Sequence, residues 1–295
     1  MAATPALGRV LSAMVTPMRA DGSVDLEAAQ RVATHLVDNG HDGLVVSGTT
    51  GESPTTTAVE RDALLRAVVQ AVGDRAVIIA GVGSNDTSHS VEAARQAEAA
   101  GADAVLVVTP YYNKPPQAGV AAHFLAVADA TGLPVMVYDI PGRSGIAIAK
   151  ETYLRIAEHE RVVAVKDARG DLWLATEVMM STGLQWYSGD DGMNLAHFAN
   201  GAAGFVGVTS QVDPAAYRDL ADAAVAGRWE DALATHRRLV PLVNAVMNVT
   251  QGAIMAKAAL ALQGLLESPA VRLPLVEADA EQLALLRESL PLPID

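Results

Sequence analysis

Six polar side chains of this 295-residue chain are of types that act on a carbonyl compound: Thr49, Thr50, Tyr112, Tyr138, Arg143 and Lys166. Lys166 closes the apolar run Val162-Val163-Ala164-Val165. Such a run, bounded by polar residues, reads as a strand buried on both faces. Two readings of the lysine stay open at this point. The strand can simply end there, with the ammonium snorkelling to water. Alternatively the amine is desolvated, neutral near pH 7 and able to attack a carbonyl carbon. That requires a pKa lowered by about 3 from about 10.4, equivalent to about 4 kcal/mol of differential solvation. Burial beside other cationic groups is the known means.

The other candidates also follow apolar runs. In Gly48-Thr49-Thr50-Gly51-Glu52-Ser53, glycines let the backbone approach a ligand, and N–H and hydroxyl groups suit a small carboxylate. The same residues also spell a Gly-rich turn with a helix cap. Thr109-Pro110-Tyr111-Tyr112-Asn113 offers phenols that either carry protons or pack at an interface. Tyr138 ends Val135-Met136-Val137 and precedes Asp139-Ile140-Pro141-Gly142-Arg143-Ser144-Gly145. It is a proton carrier or a core residue with a satisfied hydroxyl. Arg143 has the fork geometry for a carboxylate, or is a surface arginine. The pair in Ser188-Gly189-Asp190-Asp191 could hold a metal or share a proton, but reads more simply as one helix cap and one carboxylate facing water. The histidines at 35, 41, 89, 123, 159, 197 and 236 form neither His-x-His nor His-Glu-x-x-His, and no metal is expected. Jointly, a lysine, two phenols, two hydroxyls and an arginine are the set for Schiff-base chemistry on a keto acid.

Such a set works only if the elements between its members bring them to one place. Apolar runs begin near Val10, Gly43, Ala76, Ala104, Pro134, Val162, Gln185 and Gly204, at spacings of 19 to 33 residues. Helical patterns fill the intervals at 26–37, 59–72, 91–100, 120–130, 153–157, 172–180 and 195–199. Asp25, Thr57 and Thr87 are the expected N-caps, and Gly40, Gly101, Gly132 and Gly183 the expected stops. Strands alternating with helices imply βαβ units and a parallel sheet. Eight such units suit a (β/α)₈ TIM barrel, whose chemistry sits on the loops at the C-terminal strand ends. A doubly wound dinucleotide fold is disfavoured, because Gly81-Val82-Gly83 lacks a third glycine. After a helix at 214–226 the strand signal stops, and 229–248, 252–264 and 277–290 read as helices. The expected organisation is a barrel at 1–227 and a C-terminal helical domain at 228–295.

Composition removes other classes. The net charge of −13 opposes a nucleic-acid or anionic-membrane partner. With no cysteine, disulfides, thiolate catalysis and cysteine metal sites are excluded. Arg9 interrupts any apolar N-terminal run, and 239–256 carries Asn244, Asn248, Thr250, Gln251 and Gly252, so neither a signal peptide nor a membrane span is expected. The expected location is the cytoplasm.

In order and spacing, Gly48–Ser53, Thr109–Tyr112, Tyr138–Gly145, Lys166-Asp167 and Ser188–Asp191 are similar to the dihydrodipicolinate synthase family, within the pyruvate-dependent class I aldolases. The resemblance extends from about Gly8 to Leu266. It implies condensation of pyruvate with aspartate 4-semialdehyde, on the way to diaminopimelate and lysine, with a covalent imine on Lys166 and no cofactor. It also implies Tyr138 as proton donor and acceptor, relayed by Thr49 and by Tyr112 lent from a neighbouring subunit. Thr50 and Val206 match pyruvate contacts, and Arg143 the residue receiving the semialdehyde carboxylate. A homotetramer built from two tight dimers is the form it implies. Asp139 stands where the family often has Asn, a change expected to be neutral. N-acetylneuraminate lyase and keto-deoxy-sugar-acid aldolases share the lysine and tyrosine but need polyol-binding groups in place of Arg143. A barrel that only binds a keto acid is the alternative of another class.

Family members inhibited by free lysine resemble this chain at Ser53, Asn85 and Tyr111, but add a histidine and a glutamate where Ala58 or Arg61, and His89, stand here. Weak or absent lysine inhibition is therefore expected.

Overall fold

A computed structural model describes residues 6–291. Eight short strands, β1 (Val10–Ala13), β2 (Gly43–Val46), β3 (Val77–Gly81), β4 (Ala104–Val108), β5 (Val135–Asp139), β6 (Val162–Asp167), β7 (Gln185–Ser188) and β8 (Gly204–Gly207), close into a barrel in chain order. All neighbours are parallel, and β8 closes on β1 through Val10↔Phe205 and Leu11↔Val206. Each strand starts within one residue of the start of its apolar run. Their side chains are nearly all buried, because the closed sheet has a packed interior on one face and helices on the other.

The helices are α1 (Leu26–Asp38), α2 (Ala58–Val72), α3 (Thr87–Ala99), α4 (Gln117–Asp129), α5 (Pro141–Ser144), α6 (Lys150–Ile156), α7 (Leu172–Ser181), α8 (Asn194–Ala199) and α9 (Pro214–Val225), followed by α10 (Trp229–Met247), α11 (Gly252–Leu262) and α12 (Ala280–Ser289). Asp25 caps α1 through the Ala28 N–H, and Thr57 forms a capping box with Glu60. At α3 the cap is Asp86 rather than Thr87: its carboxylate accepts from the Ser88 and His89 N–H groups, so the helix begins four residues before its apolar pattern. The single turn α5 has no apolar period to betray it; Pro141 starts it and Gly145, at φ 78°, ends it.

The pairing of β5 with β6 sets two polar rungs side by side. Tyr138 pairs with Lys166, and Asp139 with Asp167, at the C-terminal ends of these strands. The C-terminal helices are not a loose tail. α10 packs on α9, and α11 is buried along most of its length.

Candidate active site

Lys166 is 4% exposed, and its ammonium lies 4.3 Å from the centre of the Tyr138 ring. Burial pulls its pKa down to about 7; Asp191 nearby holds it up, and the Arg143 charge lowers it further. Of the two readings of the lysine, snorkelling to water is thus excluded. The Tyr138 phenol is also buried and is pushed up to about 12, with Arg143 opposing and Asp190 adding to the shift. Near pH 7 about half of the amine is therefore neutral, and it lies over the ring of a protonated phenol. Gly189 makes room for this: a Cβ there would sit 2.9 Å from the Lys166 side chain and 3.1 Å from the Asp167 backbone.

Beside Tyr138 opens a hollow of about 220 Å³ lined by Gly48, Thr49, Tyr111, Tyr138, Arg143 and Ser144, among others, while Lys166 lies behind Tyr138 and does not line it. Thr49 is half-buried and Thr50 buried on the loop after β2, and Val206 is buried on β8. Arg143 projects from the exposed turn α5 at the rim. A larger depression, about 780 Å³, lies at the other mouth of the barrel, lined by groups such as Asp42, Asp74, Asp103 and His159. It holds none of the candidate residues, so its size carries no chemistry.

Tyr112 is the exception among the candidates. Its side chain is 87% exposed and its backbone takes φ +70°, a conformation costly for a bulky residue. Tyr111, not Tyr112, lines the hollow within the chain.

One expectation needs correction. Asp191 does not face water: it is 4% exposed, and its carboxylate accepts from the N–H groups of Val208 at 2.9 Å and Thr209 at 3.0 Å. Asp190 is the cap, accepting from the Gly192 N–H. A carboxyl group, its pKa raised by burial, thus lies buried beside Lys166, which two adjacent aspartates of one type cannot reveal in sequence. The position opposite does carry a trace: at Gly207 any Cβ would come within 2.5 Å of the Asp191 carboxylate. Asp139, the change expected to be neutral, occupies a demanding place. It is fully buried, accepts from the Tyr153 hydroxyl at 3.0 Å and the Ile148 N–H at 3.3 Å, and burial pushes its pKa up to about 6, with Asp167 adding to the shift. Among the described residues no three histidine, aspartate or glutamate side chains converge as a metal site.

A barrel with a desolvated lysine at its C-terminal rim is the arrangement of a Schiff-base enzyme. A sequence model of the dihydrodipicolinate synthetase family matches residues 6–291, and the chain belongs to that family. It is 58% identical over 285 residues to the 4-hydroxy-tetrahydrodipicolinate synthase of Kineococcus radiotolerans, covering 97% of this chain and 92% of that one. The corresponding enzyme of Acidothermus cellulolyticus is 59% identical, with 96% and 91% covered. Among solved structures, a dihydrodipicolinate synthase from Bacillus anthracis superposes with a TM-score of 0.93 at 41% identity, covering 96% of this chain and 97% of that one. The Cyanidioschyzon merolae enzyme with lysine bound gives 0.92 at 40% identity, with the same shares covered.

Proposed function

We propose that Lys166 is the nucleophile of a 4-hydroxy-tetrahydrodipicolinate synthase, acting on pyruvate and then on aspartate 4-semialdehyde. The enzyme is a pyruvate-dependent lyase of the class I aldolase type, serving lysine biosynthesis. The observation that carries the residue assignment is the buried Lys166–Tyr138 rung, with the amine near pKa 7. The Nζ lone pair adds to C2 of pyruvate, and the C2 oxygen leaves as water once protonated. Tyr138 shuttles the protons, through Thr49 and through Tyr112 of the partner subunit. The imine then loses a proton from C3, and the resulting enamine attacks the aldehyde carbon of the semialdehyde. The Thr49–Thr50 loop cradles the pyruvate carboxylate, with Val206 packing on it, while Arg143 holds the carboxylate of the second substrate.

The exposure and positive φ of Tyr112 support a site shared between subunits. The assembly we propose is a homotetramer of two tight dimers, and the location the cytoplasm, on the family likeness. A similar structure, 36% identical, is described as a monomeric dihydrodipicolinate synthase variant, so the assembly is a property to measure.

Mass spectrometry after incubation with pyruvate and borohydride tests the assignment. One reduced pyruvyl group is expected on the peptide carrying Lys166. An adduct on Lys150 or Lys257 instead, or none, contradicts it.

A further inference from the structure

The most deeply buried ion pair among the described residues lies behind the substrate loop. It joins Glu52, 2% exposed, to Lys257, which is wholly buried on α11, 205 residues away. Glu52 ends the loop that carries Thr49 and Thr50, and it takes φ +55°; Ser47, at the other end, takes φ +58°. Two non-glycine residues in the left-handed region make this conformation one that must be held from outside. The C-terminal segment supplies the hold. Lys257 Nζ donates to one Glu52 oxygen and to the Ala270 carbonyl at 2.7 Å, while the Arg272 N–H donates to the other Glu52 oxygen at 2.9 Å. On the opposite side the Thr16 hydroxyl donates to the Gly51 carbonyl at 2.6 Å.

Against apolar residues of the same volume, a buried ion pair adds little net stability. Removing one partner, however, leaves the other charge buried and alone, and drives the backbone beneath it elsewhere. What the pair provides is registry. We propose that Glu52 and Lys257 are positioning residues, through which α11 fixes the Thr49–Thr50 loop and so sets the affinity of the site for pyruvate. This rests on the proposed roles of Lys166 and its loop in binding pyruvate.

The test compares Lys257→Met and Glu52→Gln with Arg272→Met. The readout is the pyruvate concentration giving half-maximal borohydride trapping on Lys166, with the melting temperature measured alongside. Lys257→Met and Glu52→Gln are expected to raise that concentration by about tenfold or more, the size of one charge-assisted contact, with trapping restored at saturation. Arg272→Met removes side-chain bonds to Gly22, Thr55 and Glu60 but leaves the pair and the Arg272 N–H in place. It is expected to lower the melting temperature while moving half-saturation less than about twofold, because those bonds do not touch the carboxylate that fixes Glu52. Unchanged half-saturation in a folded Lys257→Met or Glu52→Gln protein overturns the proposal. So does an equal shift in Arg272→Met, which would reduce the pair to general support of the segment. Should Lys257→Met not fold, Glu52→Gln, unchanged in shape, decides. Absence of trapping in the unsubstituted protein would count against Lys166 as nucleophile, not against the pair.

Discussion

The loops after β2 and β4 both carry hydroxyl groups proposed to serve one reaction, and they are built in opposite ways. The β2 loop is finished inside the chain: Thr50 is buried, Gly51 and Glu52 are gripped by bonds to Thr16 and Arg272, and Thr49 lines the hollow beside Tyr138. The β4 loop is not. It turns Tyr111 inward and leaves the Tyr112 side chain in solvent at φ +70°, with the Tyr112 N–H donating to the Ser144 carbonyl at 3.4 Å. Buried loops can be held by their own chain, whereas an exposed aromatic at positive φ is what the proposed shared site would cover with a second copy.

The largest effect should come from the unfinished loop. Tyr112→Phe should keep imine formation with pyruvate in part but lose turnover by about a hundredfold, the scale of a positioned proton carrier. Mixed with Lys166→Ala under verified subunit exchange, it should recover activity, since one site in the hybrid then has both groups. No recovery would place Tyr112 in its own chain's site and dissolve the contrast between the loops.

A smaller effect separates chemistry from support. β4 rests on β5, where the Thr109 N–H and hydroxyl both donate to the Tyr138 carbonyl at 2.9 Å, and β5 ends in the buried Asp139. Its carboxyl is shifted from 3.8 to about 6 in the folded protein, so its protonated form is favoured on folding. That contribution is complete below about pH 4 and is lost as pH rises through about 6. Above pH 6, Asp139→Asn should therefore be more stable than the unsubstituted protein by about 2–3 kcal/mol, with the advantage vanishing near pH 4. Denaturant unfolding from pH 4 to 8 reads this. An advantage independent of pH would show that the buried charge is not its source.

The smallest effect concerns the place where the β2 loop meets α2 and α3. There Arg61 donates to the carbonyls of Ser53 and Thr56, each at 3.1 Å, and to His89 Nε2 at 3.2 Å. A guanidinium occupies ground that an ammonium ligand would need, and it repels one. Free lysine at millimolar concentration should change the initial rate by less than about twofold, because a lost charge-assisted contact weakens binding by about ten- to a hundredfold. Strong inhibition below one millimolar would mean that an unrecognised anion faces this place.

What the sequence makes legible divides along the same physical line. Strand starts from Val10 to Gly204 are legible because burial on both faces demands continuous apolar runs. Lys166 stands out because a lysine seldom closes a buried strand, whereas Thr49 and Arg143 gain meaning only beside it, being ordinary in a Gly-rich turn and on a surface. The α5 turn and the Asp86 cap do not, since one turn carries no period and neighbouring Asp and Thr cap equally well. The depth of Asp191, the raised carboxyl of Asp139 and the Glu52–Lys257 pair depend on contacts made only when distant strands and helices meet. No local pattern contains them.

The direct measurement is the rate of pyruvate imine formation at Lys166 as a function of pH. Only the neutral amine attacks, and its pKa in the folded protein is about 7. The trapping rate should rise about tenfold per pH unit below 7 and level off above it. A rate that keeps climbing toward pH 10, as for an ordinary lysine, would contradict the desolvated nucleophile on which the whole site depends.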